Sequence, residues 1–154
     1  MTNHEHSTEI STLNTLIATT IDSITGYEDA AANSEAGQFQ QMFRDRATER
    51  QRVVEELRAE VRRLGGNPED DGSFMGKTHQ RFLDLKAAIT GRDEKAIINE
   101  VERGEDYLKE KFETALNSDE LSGESRAVVE RCYQSVRGGH DQMSQLKHGM
   151  DASA

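Results

Sequence analysis

The 154-residue sequence has one proline, one cysteine and no tryptophan. A lone cysteine, Cys132, excludes an internal disulfide. A single proline, Pro68, leaves long stretches free of the residue that interrupts helices. No run of about 18 apolar residues is present to span a bilayer. The opening Met1-Thr-Asn-His-Glu-His-Ser7 lacks the basic and apolar regions of a signal peptide, so the cytoplasm is the expected compartment. Positive charge is also scarce, with 19 Lys and Arg against 29 Asp and Glu, for a net charge of −10. A nucleic-acid binder needs a basic face to displace counterions, and an anionic membrane surface needs the same. Both partners are therefore excluded as expectations. There is no phosphate-binding glycine loop and no hydrolase nucleophile elbow, and nothing else points to an enzyme.

What remains is an abundance of Ala, Glu, Leu, Lys, Arg and Gln, the composition of long amphipathic helices. The chain is long enough for one domain over 1–154, with 1–7 and 149–154 expected to be flexible. Five helical segments are predicted. The first spans about Thr8 to Ala32, with Ile10, Leu13, Ile17, Ile24, Tyr27 and Ala31 on one face. The second spans about Glu35 to Leu64, carrying Phe39, Phe43, Ala47, Val54, Leu57 and Val61 in register. Gly65-Gly-Asn-Pro68 stops it. A third, shorter segment covers Ser73 to Thr90. The fourth runs from Asp93 to Leu116 and the fifth begins near Ser122. Gly138-Gly139 is a candidate bend in the fifth.

Lengths set the expected architecture. At about 1.5 Å per residue, segments one, two, four and five are each roughly 35–45 Å long, and segment three about 25 Å. Short breaks make one pair with two, and four with five, as antiparallel hairpins. Segment three then carries the chain back along the others. The expectation is all-α: a ferritin-like four-helix bundle, two antiparallel hairpins joined by a helical crossover. A plain up-down arrangement of five helices is the alternative.

The polar residues on apolar faces are the candidates for function. Glu105 falls between Val101 and Leu108 on the apolar seam of segment four, with Gly104 beside it. Arg46 and Arg50 lie within the apolar arc of segment two, and Glu49 lies on its flank. His140 and His79 sit at the edges of their helical faces. The simplest reading of Glu105 is a buried ion pair with Arg46 or Arg50. The chemical alternative is a transition-metal site. Carboxylates and histidines on facing helices are what iron, manganese and zinc sites in bundles are built from. Its candidate ligands are Glu49, Glu105, His79 and His140, with Glu102 one turn before Glu105. The chain has no Glu-x-x-His pair, so the usual dinuclear carboxylate centre is absent. His4-Glu-His6 reads as a polar terminus, Cys132 as a small buried hydrophobe, and the Asp22/Gly26/Asp29 stripe as solvent or a second contact surface.

Several stretches together carry a resemblance: Leu13-Asn-Thr-Leu-Ile17, Gly26-Tyr-Glu-Asp-Ala-Ala31, Phe43-Arg-Asp-Arg-Ala-Thr-Glu49, Leu64-Gly-Gly-Asn-Pro68, Gly72-Ser73 with His79, Thr90-Gly-Arg-Asp93, Glu100-Val-Glu-Arg-Gly-Glu-Asp106, and His140. With these the chain resembles a bacterial family of uncharacterised, ferritin-like four-helix-bundle proteins, a domain-of-unknown-function family. The resemblance implies the ferritin-like bundle and no established activity. Two functional expectations follow, a non-standard metal site or a metal-free helical interaction module that forms homo-oligomers.

Overall fold

A computed structural model of the chain describes residues 6–34, 37–70 and 94–153. Among them are four helices and no strand: α1 Ser7–Asn33, α2 Gly37–Arg63, α3 Glu94–Asn117 and α4 Gly123–Ser153. Their bounds fall within two residues of the predicted first, second, fourth and fifth segments. The predicted third segment, with His79, lies outside the described residues. α4 continues through 149–153, the stretch expected to fray. It also passes through Gly138-Gly139 as one helix.

Local chemistry sets the helix ends. After α2, Gly65 adopts φ 87°, a conformation that costs a side chain but not glycine. This places the Gly65 amide on the Arg62 carbonyl and the Gly66 amide on the Val61 carbonyl, each at 2.9 Å. The paired bonds satisfy carbonyls that the helix end leaves open. Gly66 has a separate reason to be glycine, because a Cβ there would come within 2.8 Å of the Ile10 side chain. At the start of α4, the Ser122 carbonyl accepts from the Arg126 amide, and the Ser122 amide donates to Glu9 Oε2 on α1. A carboxylate facing that end of the helix is favourably placed for the dipole.

Side-chain pairs define how the helices run. Tyr27 meets Glu105, Thr12 meets Glu120 and Ser34 meets Glu94, so α1 and α3 are antiparallel neighbours. Arg46 reaches Gln142, Arg131 reaches Glu56 and Ser125 reaches Glu60, so α2 and α4 are antiparallel too. The hairpins α1–α2 and α3–α4 complete the ring. Diagonal partners are consequently parallel, and the end of α2 and the start of α3 lie at opposite ends of the four-helix core.

That core is divided. One apolar cluster contains Leu13, Leu16, Ile17, Val54, Leu57, Val61, Leu108, Phe112, Val129 and Val136. The other contains Tyr27, Ala30, Phe43, Ala47, Ile97, Ile98, Val101 and Met143. Between them each helix contributes one small or polar residue: Ser23, Arg50, Glu105 and Gly139. α1 is buried over a broad arc that includes Ala18, Thr19 and Gly26. Gly26 of the acidic stripe is thus inside, while Asp29 is exposed.

Candidate functional site

The polar layer is a closed ion pair. Arg50 Nη1 donates to Glu105 Oε1 at 2.7 Å and Nη2 to Oε2 at 2.6 Å, a bidentate fork between two planar groups. Arg50 is 0% exposed and Glu105 2%. Arg50 also donates to Ser23 Oγ at 2.8 Å, and Tyr27 Oη donates to Glu105 Oε2 at 2.7 Å. The guanidinium lies 5.6 Å from the centre of the Tyr27 ring, close enough for a cation–π contribution. Arg50 Nε has no hydrogen-bond partner among the described residues. Burial pushes the Tyr27 phenol well up, and the Glu105 charge adds to that. Burial works against the Arg50 charge, but Glu105 outweighs it and raises its pKa.

Gly139 makes this geometry possible. A Cβ at that position would overlap Arg50 Nη2 and sit 2.7 Å from Glu105 Oε2. At Gly138, one residue earlier, an added Cβ would meet nothing within 4 Å. The glycine pair therefore serves one close approach. Of the two arginines expected as partners for Glu105, the structure selects Arg50. Arg46 turns outward, where it bonds Glu49 and, at 2.5 Å, Gln142 Oε1. Glu49 and Arg46 line an open groove of about 610 Å³ between α2 and α4 with Met42, Asp45, Arg52 and Gln142.

A second constellation lies on the seam between α3 and α4. Glu102, Asp106 and His140 each bring one ligand-type atom within 4.8 Å of the others. Glu102 and Asp106 share a helix face because they are four residues apart, and His140 arrives from α4. His140 Nε2 is 2.5 Å from Asp106 Oδ1, and its Nδ1 is 3.2 Å from Asp141 Oδ1. Burial alone would lower the His140 pKa, but the bonds to Asp141 and Asp106 outweigh it and leave it raised. Glu102 and His140 side chains are 12% and 15% exposed, whereas Asp106 is 55% exposed, so the cluster opens to solvent on one side. The same seam carries Tyr133 to Glu113 at 2.5 Å and Lys147 to Glu102 at 3.5 Å. Tyr133, His140 and Lys147 recur every seven residues on α4, each facing an acid on α3.

The candidate ligands thus separate. Glu102 and His140 come together; Glu105 is committed to Arg50 and Tyr27, Glu49 to Arg46, and His79 lies outside the described residues. Asp106, one turn after Glu102, joins Glu102 and His140 in the structure and is not among the candidates read from the sequence. Cys132 is 1% exposed, and burial together with nearby Glu56 pushes its thiol up to about 12. At the other end of the core, Glu9 and Glu60 are each 5% exposed. Glu60 is bonded by Arg63 and Ser125, Glu9 by Ser122 and His6.

Fold and site together define a protein whose described residues form a four-helix core crossed by a buried arginine–glutamate pair, with a histidine–carboxylate cluster on one seam. The chain belongs to the family described as a domain of unknown function (DUF2383), whose model matches residues 8–118. The matched span holds Tyr27, Arg50, Glu102, Glu105 and Asp106 and ends before α4. No functionally curated protein shows significant similarity to the chain. Among the described residues no helix is long and apolar enough to cross a membrane.

Proposed function

We propose that this is a ferritin-like helical-bundle protein that binds a divalent transition metal outside its core, at Glu102, Asp106 and His140. The diagonal, parallel placement of α2 and α3, consecutive among the described helices, supports that topology. A dinuclear centre of the ferritin kind does not fit the interior. Both oxygens of Glu105 are held by Arg50, whose guanidinium supplies the positive charge a metal would bring there. The observation that carries the reading is the convergence of one nitrogen and two carboxylate oxygens within 4.8 Å on the α3–α4 seam. Neutral imidazole with carboxylates suits zinc, manganese or iron(II), and the open side leaves room for water ligands.

Elemental analysis and calorimetric titration of untagged protein test this. Wild type is expected to take up close to one equivalent of Zn(II) or Mn(II), and His140→Ala and Asp106→Asn to lose it. Glu49→Gln is expected to keep full uptake. Equal, sub-stoichiometric metal in wild type and His140→Ala would overturn the reading.

A second reading is favoured by the Arg50–Glu105–Tyr27–Ser23 network, which specifies packing without chemistry. In it the protein is a metal-free helical interaction module, and the cytoplasm is its proposed setting. Light scattering across a concentration series tests it, with a homo-oligomer expected and a monomer throughout opposing it.

A further inference from the structure

We infer that Lys147 is a built-in competitor for the cation site, so that metal binding and Lys147 docking oppose one another. The inference rests on the metal reading above and adds its regulation. Lys147 follows His140 by seven residues, which returns it to the same face of α4 two turns on. Its ammonium stands 3.5 Å from Glu102 Oε1, on the only α3 ligand that is mostly buried. A metal drawing on Glu102 would bring a second cation close to the Lys147 ammonium, and the two would repel. Lys147 itself is 36% exposed, so it has somewhere to go when released. Glu102 therefore has two alternative cationic partners, one of them tethered.

Removing the tethered cation should tighten metal binding by what an exposed ion pair of this kind supplies, roughly two- to fivefold. By reciprocity, metal should loosen Lys147 by the same factor.

The test is calorimetric Zn(II) titration of wild type, Lys147→Gln, Lys147→Arg and Lys147→Gln/His140→Ala, paired with acetic anhydride labelling read by mass spectrometry. Lys147→Gln is expected to bind Zn(II) roughly two- to fivefold more tightly, and Lys147→Arg to stay near wild type. Labelling of Lys147, normalised to Lys95, is expected to rise about twofold or more when Zn(II) saturates the wild-type protein. The double variant is expected to lose Zn(II), which shows that the same site is measured. Zinc binding that depends on His140, with unchanged affinity in Lys147→Gln and unchanged Lys147 labelling, would overturn the inference and leave the metal reading standing. Absence of His140-dependent zinc binding would overturn both.

Discussion

Arg50 on α2 and Glu105 on α3 meet as a two-point fork, at 2.7 and 2.6 Å, at the level that divides the two apolar clusters. The helices carrying them are parallel and diagonal, so the pair crosses the middle of the core. Taking two charges out of water is costly, and such a pair is sustained only when geometry and further hydrogen bonds repay it. Here Ser23 and Tyr27 supply those bonds. Its consequence is specificity: any slip of α2 against α3 strands a buried charge.

Glu105→Ala is accordingly expected to destabilise the fold by about 3–5 kcal/mol, because it leaves Arg50 charged, buried and unpaired. Glu105→Gln should cost less, since an amide keeps one acceptor. The double replacement Arg50→Met/Glu105→Leu should recover most of the loss. Urea denaturation of the wild type and the three variants checks this, and a double variant no more stable than Glu105→Ala would contradict it.

The two neighbouring glycines of α4 should respond in opposite directions. Gly139→Ala places a methyl group against the ion pair and is expected to destabilise by about 1–3 kcal/mol. Gly138→Ala meets nothing within 4 Å and should stabilise by up to about 1 kcal/mol through helix propensity alone. Thermal melts of the two variants decide the matter.

Acid should weaken the end of the core where α4 begins. Hydrogen bonds from Arg63 and Ser125 hold Glu60 below its ordinary value of 4.5, even though burial opposes them. For Glu9, burial raises the pKa, but the Ser122 and His6 bonds outweigh it and the net shift is also downward. A depressed folded pKa adds stability that is present above the unfolded value and lost as pH falls through the folded one. Stability should therefore decline as pH drops below about 4.5, and Glu60→Gln should flatten that decline in denaturation curves measured from pH 6 to 3.

His140 acts with the opposite sign. Its raised pKa adds stability that is fully present below the ordinary value of 6.5 and is lost as pH rises through the folded value. His140→Gln should remove this alkaline loss. NMR titration of the ring protons should place the midpoint above 6.5 in wild-type protein.

Cys132 should be unreactive in the folded state. Its thiol is 1% exposed and pushed up to about 12, so little thiolate forms near neutral pH. A disulfide reagent should modify it slowly in buffer and rapidly in denaturant, and fast native-state modification would contradict the packing described.

The four described helices were legible in the sequence because each carries a 3.6-residue apolar rhythm and a local stop, such as Gly65 with its positive φ before Pro68. That rhythm also marked Glu105 as an intruder on an apolar face, and burial of a charge demands a cation. Rhythm along one helix says nothing about which residue of another helix stands opposite. Only the tertiary structure chose Arg50 over Arg46, since both lie in the same arc of α2 and differ by one turn. Only it showed Gly139 as the space into which the pair fits. The seam cluster divided in the same way. His140 was visible as a polar residue at a face edge, and Glu102 as an acid one turn before Glu105. Asp106 became a candidate when the register of α3 against α4 set it beside His140, because side chains four residues apart share a face whether or not anything faces them.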